Sequence, residues 1–192
     1  MKFLKLHIFI VALFCYAFCV SSCSNKSSKA DNYYKKIYNC TSEIFKYEDT
    51  LIGTITAIRE LQSKQYFAQK YIPDSNVTIN IDRYINNMDK IYNAFLKSID
   101  SAQIALKKLP DFDNDKQLKN KAFELTQTYK NTALNDYQKI IDIIKISPEI
   151  YTIEDDTRFQ ELSDSINVKL EREIDSFNKI LEDFFGYYKV NY

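Results

Sequence analysis

Three prolines set the strongest limit on how this chain can fold. Pro73, Pro110 and Pro148 each lie in or beside a short polar break, at nearly even intervals. A proline inside a helix removes a backbone donor and clashes with the preceding turn, so prolines favour helix ends. Glycine occurs only twice, which argues against a turn-rich β protein. The prolines therefore predict the joints between four long segments.

Each of the four segments carries apolar residues at the spacing that aligns them on one helix face. A helix of about 30 residues would be some 45 Å long. In chain order the four stripes comprise Ile37, Ile44, Leu51 and Ile58; Ile81, Met88, Phe95, Ala102 and Leu109; Leu118, Ala122, Leu125, Tyr129, Ala133, Tyr137, Ile140 and Ile144; and Phe159, Leu162, Ile166, Leu170, Ile174, Phe177, Leu181, Phe184 and Tyr188.

We predict an all-α fold, an antiparallel up-down four-helix bundle of long helices, because short joints make consecutive helices antiparallel. A pair of long helical hairpins that pack only on dimerisation is the alternative, so the oligomeric state stays open. The stripes predict that five aliphatic residues are fully buried in the core: Ile44, Leu51, Ile99, Ile140 and Leu170.

Hydroxyl side chains mark the expected helix starts, since their oxygens can accept the unpaired N–H groups of a first turn. Ser147 followed by Pro148 predicts a cap with proline at the first helical position. Thr152 and Thr78 are two further cap candidates.

The N-terminus carries a different signal. Lys2 and Lys5 precede an apolar run from Leu6 to Val20. A basic start followed by such a run is typical of a secretory signal, and the run is short for a membrane span. The run ends in Val20-Ser21-Ser22-Cys23. This sequence resembles the signal of bacterial lipoproteins, in which an aliphatic residue and two small residues precede the cysteine that receives the lipid. An ordinary signal with an incidental cysteine is the alternative.

The resemblance implies cleavage before Cys23, palmitate on its thiol, and anchoring to a membrane of the bacterial cell envelope, with the outer membrane expected, at its periplasmic or surface face. The predicted organisation is a cleaved signal peptide over residues 1–22, the lipidated cysteine with a flexible tether over 23–31, and a single helical-bundle domain over 32–192. About 160 residues suit one hydrophobic core.

A second resemblance lies in the joint that reads Leu109-Pro110-Asp111-Phe112-Asp113-Asn114-Asp115, followed by Leu118, Ala122 and Tyr129. It is similar to a joint in small uncharacterised surface lipoproteins, a family named after a leptospiral member. That joint usually reads Pro-x-Phe-x-Gly-Asp, whereas Asn114 stands at the glycine position here. Asparagine tolerates left-handed backbone, so we expect the turn to survive. The resemblance implies fold and location, and no catalytic residues.

Loss of the signal peptide removes much of the reactive chemistry. His7 is the only histidine, and Cys40 becomes the only free thiol once Cys23 carries lipid. The usual zinc, copper and haem ligand sets are then missing, as are Ser-His-Asp and Cys-His catalysis. We therefore predict no catalytic residues, no metal and no cofactor. With 26 basic and 26 acidic residues in the whole chain, no nucleic acid is expected as a partner.

Two local features are ambiguous. Asp111, Asp113 and Asp115 alternate as in a calcium loop, but the required glycine and final carboxylate are absent, so we expect them to cap and charge the third helix instead. Gly53 and Thr54 predict a notch in the first helix. We expect another helix to cross closely there, and a small-ligand site is the alternative.

Tyrosines cluster near both ends of the mature chain. Tyr33, Tyr34 and Tyr38 open the first helix, while Tyr187 and Tyr188 close the fourth. In an up-down bundle these ends are neighbours and lie beside the anchor. The five tyrosines are thus candidates for contact with lipid headgroups or a partner protein, unless they merely close the end of the bundle.

The predicted function is that of a membrane-anchored envelope lipoprotein whose non-enzymatic domain binds an unknown protein partner. One alternative is an immunity-type lipoprotein that neutralises a toxin in the periplasm. The other is a histidine-free enzyme that uses carboxylates, lysine or tyrosine. Such an enzyme would need two acids facing one cleft, and no spacing in the sequence points to such a pair.

Overall fold

The computed structural model describes the backbone of residues 2–69, 75–114, 116–147 and 150–190, with side chains described within 26–65, 81–114, 116–147 and 150–190. All secondary structure in these ranges is helical, which confirms the all-α class. The elements are α1 (Lys2–Gln69), α2 (Ser75–Lys108), α3 (Gln117–Thr132), the π-helical turn (Ala133–Tyr137), α4 (Gln138–Ile144) and α5 (Ile153–Tyr188). The π-helical turn joins α3 to α4 without a break, so these three form one rod, the third of four helical rods in the described ranges.

The main core lies among all four rods, where α1 packs mainly on α2, and α3 on α5. Burying one large aliphatic side chain in such a core contributes about 1.5–3 kcal/mol to folding. The prediction for this core is confirmed, because each of the five residues named for it is buried: Ile44, Leu51, Ile99, Ile140 and Leu170.

A second group of buried residues, which we name the terminal cluster, closes one end of the molecule. It joins residues 30–37 of α1, the end of α2, the beginning of α3 and the end of α5. Its members are Ala30, Tyr33, Ile37, Leu106, Leu118, Ala122, Phe184, Phe185, Tyr188 and Val190.

Helix α1 continues through residues 23–31, where we expected a flexible tether. Ala30 is fully buried in the terminal cluster, and the Ser27 hydroxyl donates a 2.8 Å hydrogen bond to the carbonyl of Lys189. Lys26 Nζ lies 3.1 Å from Asp113 Oδ2. The structure differs from the expectation because these polar residues contain no proline or glycine and find partners on the neighbouring segments.

The joint before α5 ends at a capping box. The Thr152 hydroxyl accepts from the backbone N–H of Asp155, and the Asp155 carboxylate accepts from the backbone N–H of Thr152. This confirms Thr152 as a cap. The start expected at Ser147 is wrong, since the Ser147 carbonyl accepts from Ile150 and Tyr151 in a separate turn. The side chain of Thr78, like all of Pro73 and Pro148, lies outside the described residues.

The joint between α2 and α3 contains Pro110, as predicted. Asn114 has φ 64°, so the left-handed backbone expected there is confirmed, and Asp113 also has positive φ at 51°. Asparagine and aspartate adopt this conformation more readily than most side chains do.

Among the helices whose side chains are described, none is both long and apolar enough to cross a membrane.

Candidate functional site

Two of the five predicted tyrosines, Tyr33 and Tyr188, belong to the terminal cluster, and Tyr34 packs against it. The ring centroids of Tyr33 and Tyr188 lie 5.1 and 5.0 Å from that of Phe112, while Tyr34 lies 5.1 Å from Phe185. Edge-to-face and tilted ring pairs of this kind add about 0.5–1.5 kcal/mol beyond area burial. The structure thus brings Tyr33 of α1 and Tyr188 of α5 together around Phe112, which lies in the α2–α3 joint.

Burial separates these tyrosines into two groups. Tyr33 and Tyr188 are buried and Tyr34 is half-buried, so their main contacts are internal. Tyr187 and Tyr38 are 79% and 51% exposed. Burial, followed by the neighbouring Tyr38, raises the pKa of the Tyr34 phenol, which therefore stays neutral at physiological pH. Of the five candidates, Tyr187 and Tyr38 offer the most surface to another molecule.

Tyr187 borders a surface groove of about 630 Å³ between the α2–α3 joint and the end of α5. Asp113 and Lys116 line one side of this groove, and Ile180 and Asp183 line the other. Its walls therefore carry both signs of charge beside an aromatic edge.

Cys23 and Cys40 differ in what the structure describes. Cys23 lies within α1, but its side chain is outside the described residues. Cys40 is a half-buried free thiol, and burial raises its pKa. A raised pKa lowers the thiolate fraction, which makes Cys40 a poor nucleophile.

A buried polar network that the sequence did not predict crosses the main core. Glu48 of α1 is only 9% exposed. Its Oε1 accepts a 2.8 Å hydrogen bond from the Tyr137 hydroxyl, and its Oε2 accepts a 3.0 Å hydrogen bond from the Tyr129 hydroxyl. The Phe95 ring packs edge-on against both tyrosines, with centroid distances of 5.7 and 6.3 Å.

The π-helical turn is what lets both hydroxyls reach one carboxylate. Eight residues separate Tyr129 from Tyr137, which in a regular α-helix would turn them about 80° apart. A π turn takes up one extra residue, and this reduces the angle to about 20°. The turn also changes the pairing of backbone carbonyls, and the Tyr92 hydroxyl donates a 3.0 Å hydrogen bond to the carbonyl of Ala133.

Burial and charge shift the ionisation of this network. Burial raises the pKa of Glu48, and the hydrogen bonds from Tyr137 and Tyr129 oppose that shift. Burial and the nearby Glu48 charge raise the pKa of both phenols far above their usual value. The tyrosines therefore remain neutral donors, and the carboxylate is enclosed by groups that hold it in place. Such an arrangement ties α1 to the third rod.

The aspartates of the α2–α3 joint are engaged by lysines. Asp111 pairs with Lys119 and lies 3.6 Å from Lys116, and these cations lower its pKa. The residue that caps α3 is Lys116, whose side chain makes no capping hydrogen bond. The expectation that Asp111 and Asp113 cap α3 is therefore wrong, because lysines compete for their oxygens. Asp115 lies outside the described residues.

Two further sequence features take no part in a site. Gly53 is exposed, and a Cβ there would meet nothing within 4 Å, so the expected tight helix crossing is wrong. The Thr54 hydroxyl donates to the carbonyl of Thr50 within its own helix. Within the described part of the chain, no group of three or more potential metal ligands is close enough to hold an ion.

The end of the molecule opposite the terminal cluster is held by an arginine. Arg59 of α1 lies between the rings of Tyr151 and Phe159, 4.9 and 5.0 Å from their centroids, and pairs with Asp156. The Tyr151 hydroxyl donates a 3.2 Å hydrogen bond to the same carboxylate. These contacts fix the joint between α4 and α5 against α1.

Two isoleucines at this joint are unusual in their exposure. Ile150 is 69% exposed and Ile153 is 84% exposed, although both flank the ordered cap at Thr152. Single exposed apolar residues are common, but two within three positions of each other offer more apolar area to another molecule.

The chain matches no protein-family model, no curated protein and no solved structure. Its function is therefore inferred from its own residues and contacts.

Proposed function

We propose that this chain is a lipid-anchored lipoprotein of the bacterial cell envelope, with a helical domain that binds a protein partner and catalyses no reaction. The domain is an antiparallel up-down four-helix bundle in this proposal. The observation that carries partner binding is the exposure of Ile150 and Ile153 on the joint between α4 and α5.

Contacts at both ends support the up-down arrangement. The terminal cluster contains residues 30–37 of α1 and the end of α5. At the other end, the Gln62 amide of α1 donates a 2.8 Å hydrogen bond to the carbonyl of Ile144, the last residue of α4. Arg59 pairs with Asp156 near the start of α5 at that same end. These contacts are the ones expected if consecutive rods run in opposite directions.

The contacts of Arg59 support a binding role for the joint. An apolar surface on a fixed backbone loses little conformational entropy when a partner binds, and affinity gains from that preorganisation. Helix α5 alone is about 54 Å long, so the joint lies far from a lipid at the terminal cluster. A surface held at that distance from a membrane is accessible to another protein.

The contacts of the buried carboxylates favour a binding function over an enzymatic one. Both oxygens of Glu48 accept hydrogen bonds from tyrosines, and Asp136 pairs with Lys169 at 2.7 Å. A general acid or base needs access to substrate and a partner of different pKa. These two side chains are instead engaged within the fold.

Lipid attachment is tested by metabolic labelling with a palmitate analogue. Wild-type protein should carry the label, and the Cys23→Ser variant should not. Retention of the label in Cys23→Ser would refute the anchor, whereas loss of the label in Cys40→Ser would point to the wrong cysteine.

Partner binding is tested by a photo-crosslinking amino acid at Ile153 in cells of the source organism. Val168 of α5 is the matched control position, because it is also apolar and 66% exposed. We expect one defined crosslinked product from position 153, none from position 168, and loss of that product in Ile150→Asp. The same products from both positions, or none from either, would contradict a binding surface at the joint.

A further inference from the structure

We infer that the end of the domain formed by the terminal cluster rests directly on the bilayer surface, with Tyr187 among the lipid headgroups. This inference rests on the proposed lipid at Cys23. It goes beyond anchoring because it gives the domain one orientation: its contact with the membrane includes protein side chains, and its α4–α5 joint points away.

The first argument is the length of chain between the lipid and the folded domain. Lys26 already contacts Asp113, Ser27 is hydrogen-bonded to Lys189, and Ala30 is fully buried. Only three residue steps separate Cys23 from Lys26. Even fully extended, three steps span at most about 11 Å, and a helix spans less. The lipid therefore keeps this end of the domain within reach of the headgroups.

The second argument is the chemistry of the surface held there. Tyr187 lies two residues before Lys189, which is about 3 Å along α5. Its ring is 79% exposed and packs edge-on against the buried Tyr188, at a centroid distance of 4.8 Å. A tyrosine with an apolar ring and a polar tip favours the membrane interface, where both parts find suitable surroundings.

The charges of the same surface indicate which lipid it suits. Lys26 pairs with Asp113, and Asp183 lines the same groove as Lys116, so acidic groups compensate these two cations. Strong attraction to anionic lipid needs several cations without compensating acids. The surface therefore fits a zwitterionic bilayer, with the anchor supplying most of the affinity.

Tyr38 provides an internal contrast. It is exposed like Tyr187, but it lies eleven residues beyond Ser27 on α1, which is about 16 Å along the helix. The headgroup layer of one leaflet is only about 5–7 Å thick. Tyr187 should thus contact lipid while Tyr38 remains in water, although the sequence presents them as equivalent.

The experiment supplies the anchor chemically, so that its outcome is independent of lipidation in cells. Every described core residue lies at or after Ala30, so a chain that begins at Cys23 retains both core clusters. A Cys40→Ser version of that chain is coupled through Cys23 to a maleimide lipid in phosphatidylcholine vesicles. The sequence has no tryptophan, so Tyr187→Trp and Tyr38→Trp each introduce a single fluorophore. Circular dichroism verifies that both variants keep their helix content.

Headgroup-spin-labelled lipid is then used as a shallow quencher. We expect Tyr187→Trp to lose most of its fluorescence and Tyr38→Trp to lose little. Equal quenching of the two, or no quenching of Tyr187→Trp, would overturn the inference. A ten-residue Gly-Ser insertion between Cys23 and Lys26 should reduce the quenching at position 187. Unchanged quenching after that insertion would show that the short connection does not hold the surface in place.

These outcomes are separable from the proposed function. If cells do not label Cys23 with lipid, the anchor fails whatever the vesicles show. If Cys23 is labelled but Tyr187→Trp is not quenched, the lipoprotein assignment stands and only the orientation is lost.

Discussion

Tyr137 donates a 2.8 Å hydrogen bond to Glu48 in the core, although 89 residues separate them in sequence. Tyr129 donates to the other oxygen of the same carboxylate. The two bonds lie at the point where the π-helical turn departs from regular helix. A polar contact between α1 and the third rod therefore lies within the main core.

Removal of one hydroxyl should destabilise the fold. Tyr137→Phe keeps the ring but leaves Glu48 with one donor, and an unsatisfied buried acceptor costs about 1–3 kcal/mol. Tyr187→Phe is the control, since its hydroxyl is exposed and the change should stay within about 0.5 kcal/mol. Urea unfolding measures both. Equal stability of Tyr137→Phe and wild type would mean that the hydrogen bond makes no net contribution.

The contribution of Glu48 to the free energy of unfolding should fall as pH rises above the usual pKa range of a glutamate. Burial raises the pKa of folded Glu48, so between the unfolded pKa of about 4.3 and the folded pKa the native state binds more protons than the unfolded state. The free energy of unfolding then decreases with rising pH, and the contribution is fully present only below that window.

The Glu48→Gln variant isolates this effect because its amide does not titrate. We expect the difference in unfolding free energy, wild type minus Glu48→Gln, to decrease as pH rises from about 4 through the folded pKa, and then to level off. Glu60→Gln is the matched control, because it makes the same change at an exposed glutamate of the same helix. Parallel curves for wild type and Glu48→Gln would contradict a raised pKa.

The π-helical turn should tolerate loss of one residue. Deletion of the exposed Asn135 lets the turn close as regular α-helix without rotating the segments on either side. The expected loss is within about 1.5 kcal/mol, mainly from the hydrogen bond of Tyr92 to Ala133. Deletion of Ser101, exposed in the regular helix α2, turns the following residues by about 100° and should cost more than about 3 kcal/mol. Equal losses of unfolding free energy in the two deletions would contradict the presence of an extra residue in the turn.

Calcium and EDTA should leave the melting temperature unchanged. Asp111 is paired with lysines and Asp113 with Lys26, and a ligand stabilises the fold only if a site exists for it. Differential scanning fluorimetry with and without millimolar calcium checks this. A clear calcium-dependent rise that disappears in Asp113→Asn would revive a metal site in the joint.

The positions of the helices were largely predictable because a helix depends on the residues within it and at its ends. Apolar spacing identified the faces that became the core, including Ile99 and Ile140. Pro110 marked a joint and Asn114 a left-handed turn, since both follow from the backbone preferences of single residues. Thr152 was only one of three cap candidates, because a hydroxyl caps a helix only if the chain bends there.

The spacing of apolar residues in the third rod contains a signal for the π-helical turn, although the sequence analysis did not predict the turn. Leu125, Tyr129, Ala133 and Tyr137 recur at three successive intervals of four, whereas a regular stripe alternates threes and fours. Each interval of four advances the stripe by about 40°, so three in a row would carry it off the core face. An extra residue in one turn restores the alignment, as an insertion does in a coiled coil.

The sequence alone determined where the long helical segments of the core lie and which face of each is apolar, because both depend on neighbours a few positions apart. Tertiary structure decided the partners. Glu48 looks like any charged residue beside the stripe until Tyr129 and Tyr137 approach from another helix. The polar residues Lys26 and Ser27 read as a tether until Asp113 and Lys189 meet them. A buried carboxylate or an ordered polar segment is stable only when distant groups satisfy it, and periodicity along one helix contains no information about the register of the next.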